Sequence, residues 1–160
     1  MLTISMTKNQ IKNKVYDCIT FYQANMLFQL RFEILKDVVD YFVICEANKS
    51  HTGLKKEFNF NPKIPEKYKD KIIYIKVTDL PDIKIKGKKD YKLLSLQMEN
   101  LFKGISSAGQ NDLIIFSDED EIPNPNIIHS FNYEKYKFGI FLQNMYYYKL
   151  NIMNIDEGSG

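Results

Sequence analysis

The segment Val38–Cys45, VVDYFVIC, decides the fold class. It is an almost continuous apolar run, rich in β-branched and aromatic residues and broken only by Asp40. Such a run describes a strand buried on both faces, as parallel sheets require. Upstream, Val15–Thr20 (VYDCIT) reads as another strand. Between the two, Met26, Leu27, Leu30, Ile34 and Leu35 recur at helical spacing, which predicts a helix over Ala24–Lys36. That reading places Gln29, Arg31, Glu33 and Lys36 on the opposite, polar side. Downstream come a polar loop (Glu46–Lys56), a stretch holding Pro62 and Pro65, and a third strand at Lys71–Val77 (KIIYIKV). A Lys-rich loop with Pro81 and Gly87 leads to a helix over Asp90–Ile105. Leu93, Leu94, Leu96, Leu101 and Ile105 give its apolar side, and Gly104 and Gly109 frame its exit. Leu113–Phe116 (LIIF) is a fourth strand, wholly apolar and therefore expected in the middle of the sheet. A short helix after Pro125 and strands at Phe138–Leu142 and Met145–Leu150 complete the reading. Strands alternating with helices predict an α/β fold with a mostly parallel central sheet, in a single domain over residues 1–160.

The chain's 160 residues suffice for one domain with a hydrophobic core, and its 44% apolar and 26% charged composition is that of a globular protein. A net charge of +2 gives no reason to expect nucleic acid or an acidic membrane as partner. The densest basic cluster, Lys84, Lys86, Lys88 and Lys89, reads first as a solvated loop, with attraction of a phosphate-bearing donor as the alternative. The stretch Met1–Lys14 has no apolar signal-peptide core, and no run approaches the ~20 residues of a membrane helix. A soluble, cytoplasmic protein is the expectation. Cys18 and Cys45, each inside a strand, read as buried free thiols rather than a disulfide or zinc pair.

The fourth strand runs directly into Ser117-Asp118-Glu119-Asp120-Glu121-Ile122-Pro123. Parallel sheets bind ligands beyond the carboxyl ends of their strands, so this is where a site belongs. Consecutive carboxylates repel one another unless water or a cation reaches them. On an extended chain Asp118 and Asp120 point to one side, with Glu119 and Glu121 on the other. Two carboxylates on one side suit Mg²⁺ or Mn²⁺, which keep positions for water and phosphate oxygens. The same pattern occurs on plain solvated loops and in phosphoryl or nucleotidyl transferases. A calcium loop fits poorly, because Pro123 and Pro125 interrupt its ligand spacing and no Gly sits at its turn. His51 and His129 read as surface residues, and Ser95 and Ser117 have no histidine partner at nucleophile spacing.

Several segments, in order, resemble glycosyltransferase family 17. They are Tyr16-Asp17-Cys18, Leu30-Arg31-Phe32-Glu33-Ile34-Leu35, and Asp37–Ile44 followed by Glu46–Gly53. Asp70-Lys71-Ile72-Ile73, Asp79-Leu80-Pro81, Asp112–Ile115 with Ser117–Pro123, and Tyr146-Tyr147-Tyr148 continue the series. The resemblance implies a GT-A-like (Rossmann-like) three-layer sandwich and an inverting, metal-dependent glycosyltransferase. It implies a UDP-sugar donor carrying N-acetylglucosamine and a glycan or glycoprotein acceptor. Asp118 and Asp120 match the family's Asp-x-Asp motif, which implies that both bind Mn²⁺ or Mg²⁺ and that Asp118 also meets the donor. Asp17, Glu46 and Asn48 are the further candidates for donor contact, with Glu46 and Asn48 also open to a loop-capping role.

Two departures stand beside this resemblance. Gln97-Met98-Glu99 stands where the family carries Gln-Arg-Asn, so a basic group is missing there. The chain has no Trp, and the family's Gly-Gly-Trp-His region beyond the tyrosine-rich strand has no counterpart. The expectation is a chain lacking the family's C-terminal part, with its catalytic base unassigned. A truncated, non-catalytic donor-binding remnant is therefore one alternative to an active glycosyltransferase, and a metal-dependent phosphoryl or nucleotidyl transferase is the other.

Overall fold

The computed structural model describes residues 13–82, 91–144 and 146. Four strands, β1 (Val15–Phe21), β2 (Tyr41–Ala47), β3 (Ile72–Val77) and β4 (Leu113–Asp118), form one sheet in the order β3-β2-β1-β4. All three pairings are parallel. Helix α1 (Asn25–Leu35) connects β1 to β2. Helix α2 (Lys92–Asn100) and a 3-10 turn (Leu101–Ile105) precede β4.

Adjacent residues of β2 show how the layers form. Phe42 meets the rings of Phe28 and Phe32 on α1. Its neighbour Val43 points to the other face, joining Tyr16, Cys18, Cys45, Leu93 and Leu101 in a second core. The α/β class, the parallel sheet and the three layers all follow the sequence reading. Full burial of each large apolar side chain in these layers contributes ~1.5–3 kcal/mol.

Helix α1 turns a different face inward from the one expected. Phe28, Arg31, Phe32 and Leu35 are buried, whereas Met26, Leu30 and Ile34 are exposed. Two apolar stripes compete on this helix, and the aromatic one wins because Phe42 offers it ring contacts. Strand β4 also differs from expectation: it lies at an end of the sheet among the described residues, with Phe116 exposed and packed on Phe102. Gly104, read as a helix exit, lies in the 3-10 turn pressed against the sheet. A Cβ there would fall 2.3 Å from Val43 Cγ1.

The described residues group into two compact units that divide between Asp120 and Glu121. In the second, Asn124 caps α3 (Pro125–Ser130), its side chain accepting from the Asn126 amide. Residues 138–142 form no strand: Phe138, Ile140 and Leu142 are exposed, and their alternation finds no pairing neighbour among the described residues. The strand expected at Met145–Leu150 lies outside the described residues apart from Tyr146, as does the Lys84–Lys89 cluster.

Candidate functional site

Strand order reverses between β1 and β4. From β1 the chain proceeds to β2 and β3 on one side, then crosses to β4 on the other. Such a switch point leaves a crevice at the carboxyl ends of the two strands, where open α/β sheets bind ligands. Asp118, the last residue of β4, lies opposite Thr20 at the end of β1. The acidic motif therefore opens at the switch point itself.

The strand ends at Asp118, and Glu119 and Asp120 form a turn. The alternation expected of an extended motif thus stops at Asp118. Asp118 and Asp120 are exposed. Glu119 is half-buried, accepting a long 3.4 Å hydrogen bond from the Tyr22 amide in the β1–α1 connection. Burial, reinforced by the nearby Asp120 and Asp118 carboxylates, raises its pKa. Among the described residues no three His, Cys, Asp or Glu side chains converge on one metal position. A cation here would draw on two protein carboxylates and fill its other positions with phosphate oxygens and water, the habit of Mg²⁺ and Mn²⁺.

Beneath the motif lies a buried ion pair. Asp17, on β1, and Arg31, on α1, have fully buried side chains. The guanidinium holds the carboxylate through both oxygens, Nε to Oδ2 at 2.7 Å and Nη2 to Oδ1 at 2.6 Å. The same guanidinium donates from Nη2 to Ser117 Oγ at 2.6 Å and from Nη1 to the Asp118 carbonyl at 3.0 Å. Direct contact between Asp17 and a donor would require this fork to open.

Glu46, near the end of β2, is likewise buried. Its Oε1 accepts from Lys56 Nζ at 2.5 Å and from the Asn59 amide at 2.8 Å. Its Oε2 accepts from the Phe60 amide at 3.0 Å and from Tyr74 Oη at 2.5 Å. Burial opposes the charge, but these four donors outweigh it and lower the pKa. Asn25 at the start of α1 binds the same loop, donating to the Asn59 carbonyl and accepting from the Asn61 amide. Glu46 therefore organises the 56–61 loop at the carboxyl edge of the sheet.

Asn48 follows β2 directly. Its amide group donates to the Thr78 carbonyl at 3.4 Å, while its Oδ1 is buried without a hydrogen-bond partner. An orphaned buried acceptor is rare in a folded protein and calls for a ligand or a water. Gln97 is buried, and its side chain donates to the Cys45 carbonyl at 2.8 Å, so it serves the α2–β2 contact. Cys18 and Cys45 are free and buried as expected, and burial pushes both thiols up to about 12.

Sequence reasoning missed Arg31, though a signal was present. Asp17 sits inside a strand too apolar to hold an unpaired charge. Arg31 is the first basic residue after it.

The all-parallel sheet, with an acidic strand end at its switch point, is a Rossmann-like α/β arrangement. The chain matches glycosyltransferase family 17 over residues 4–152 and belongs to that family. It is a glycosyltransferase, of a family that moves sugar from a donor to an acceptor. Among curated proteins and solved structures none matches it. No helix among the described residues is long and apolar enough to cross a membrane.

Proposed function

We propose that the chain binds a UDP-sugar, with N-acetylglucosamine as the sugar, and transfers it with inversion to a glycan or glycoprotein acceptor. The observation that carries this reading is the position of Asp118 and Asp120, exposed at the switch point in a member of a glycosyltransferase family. In this reading the two carboxylates hold Mn²⁺ or Mg²⁺. The cation would offset the charge of the donor's diphosphate and of the departing nucleotide. Asn48 contacts the donor through the Oδ1 that now lacks a partner. Glu46 and Asp17 act beneath the site, one shaping the 56–61 loop and the other holding Arg31. Inverting transfer also needs a base for the acceptor hydroxyl. No residue is assigned to that role.

Ligand-observed NMR with UDP-GlcNAc, UDP-glucose, UDP-galactose and GDP-mannose, each in the presence of Mn²⁺, tests the donor. The proposal expects the uridine donors to bind, UDP-GlcNAc most tightly. Equal signals from GDP-mannose would remove the uridine assignment.

A further inference from the structure

We infer that Arg31 is a positioning residue for the acidic motif, its guanidinium fixing the backbone from which the Asp118 side chain projects. This rests on reading Asp118 as a metal and donor ligand. The argument begins with the cost of burying charge. An ion pair withdrawn from water gains little net stability over well-packed apolar side chains of similar volume. The Asp17–Arg31 pair nevertheless lies fully buried between α1 and the sheet, among Phe28, Phe32 and Leu35 on the same helix face. What it achieves is geometric. One planar group joins three elements: α1, which carries it; β1, through both oxygens of Asp17; and β4, through Ser117 Oγ and the Asp118 carbonyl.

Those β4 contacts fall on the last two residues of the strand, immediately before the Glu119-Asp120 turn. β1 and β4 are the strands that flank the switch point, so the guanidinium ties its two walls together. The fork demands arginine. A lysine ammonium supplies a point charge and cannot hold two carboxylate oxygens, a hydroxyl and a carbonyl in one plane. Glu119, accepting from the Tyr22 amide, adds a second tether between the motif and the β1–α1 connection. Residues that orient metal ligands in this way affect metal affinity or activity by ~10–100-fold when replaced.

The experiment compares Arg31→Lys with the wild type and with Gly104→Ala. The last is a destabilised control whose clash lies at Val43, Ile75 and Ile73 rather than at the motif. Two readouts are taken on folded protein: the Mn²⁺ dissociation constant in the presence of UDP, followed by Mn²⁺ EPR, and the ¹³C carbonyl shift of Asp118 without ligand. The inference expects Arg31→Lys to weaken Mn²⁺–UDP binding by ~10-fold or more and to move the Asp118 carbonyl resonance. Gly104→Ala should change neither. Unchanged binding and an unchanged carbonyl shift in Arg31→Lys would overturn the inference, as would equal changes in both variants. If the wild type binds no Mn²⁺–UDP, the donor-site reading fails. The carbonyl shift then decides whether Arg31 still sets the motif's backbone.

Discussion

Replacing Glu46 by glutamine separates a loop organiser from a ligand contact, and its cost can be worked from four hydrogen bonds. The carboxylate receives Lys56 Nζ and the Asn59 amide on one oxygen, the Phe60 amide and Tyr74 Oη on the other. Glutamine keeps one acceptor oxygen and presents an NH₂ at the other position. If the NH₂ takes the Oε2 position, Tyr74 can turn its hydroxyl to accept, but the Phe60 amide loses its partner. One orphaned buried donor costs about 1–3 kcal/mol, and exchanging charge-assisted for neutral hydrogen bonds adds roughly 1 kcal/mol or more. The expected loss is therefore about 3 kcal/mol, or ~6–12 °C in melting temperature for a chain of this size. Calorimetric or denaturant unfolding at pH 7 measures it.

The same substitution carries a pH signature. Because the folded state lowers the Glu46 pKa below 4.5, the unfolded chain takes up the proton first as pH falls. The carboxylate's contribution is complete at neutral pH. It declines once pH drops below about the unfolded value and disappears below the folded one. The gap between wild type and Glu46→Gln should accordingly narrow in acid. A loss under about 0.5 kcal/mol at pH 7, the range of ordinary surface changes, would refute the role assigned to this carboxylate.

Two further predictions concern the core. Gly104→Ala should destabilise the protein by roughly 1–3 kcal/mol, because the added methyl lands 2.3 Å from Val43 Cγ1. Val43→Ala in the same chain should recover part of that loss, so that the double variant is less destabilised than the sum of the singles. Neither Cys18 nor Cys45 should react with an aromatic disulfide reagent near neutral pH until the protein unfolds, since both thiols are buried and pushed up to about 12. Rapid native-state labelling of either would contradict their placement.

The layers of the fold were legible because strand and helix periods differ and the buried strands are nearly unbroken apolar runs. Val38–Cys45 illustrates both the success and the margin. Its strand exists, yet it begins at Tyr41, because residues 36–40 close the preceding helix and Asp40 accepts a hydrogen bond from the Val15 amide. The inward face of α1 was not legible from hydrophobicity alone. Met26, Leu30 and Ile34 match the helical spacing as well as Phe28, Phe32 and Leu35 do, and the choice depends on packing against Phe42 of β2. Phe138, Ile140 and Leu142 show the converse limit: alternation marks strand propensity, but pairing needs a neighbour the pattern does not specify.

At the site, the motif and its place after β4 were readable, since an acidic run following an apolar strand is a local signal. The turn at Glu119-Asp120 was not, because nothing in the run breaks an extended chain before Pro123. Asp17 stood out as a carboxylate in an apolar strand, whereas Glu46, read as the first residue of a polar loop, lies inside β2. Their partners, Arg31 and the 56–60 loop, are supplied by tertiary packing. The sequence therefore marks where charge must be satisfied without saying by what.

The acidic end of β4 as a metal-dependent donor site is tested most directly by calorimetric titration of UDP-GlcNAc. The titration is run with and without Mn²⁺, on the wild type and on an Asp118→Ala, Asp120→Ala variant. The account predicts binding to the wild type only when Mn²⁺ is present, and its loss in the variant while the melting temperature stays within the range of surface substitutions. Undiminished, metal-independent binding in the variant, or no binding by the wild type with Mn²⁺, would contradict it.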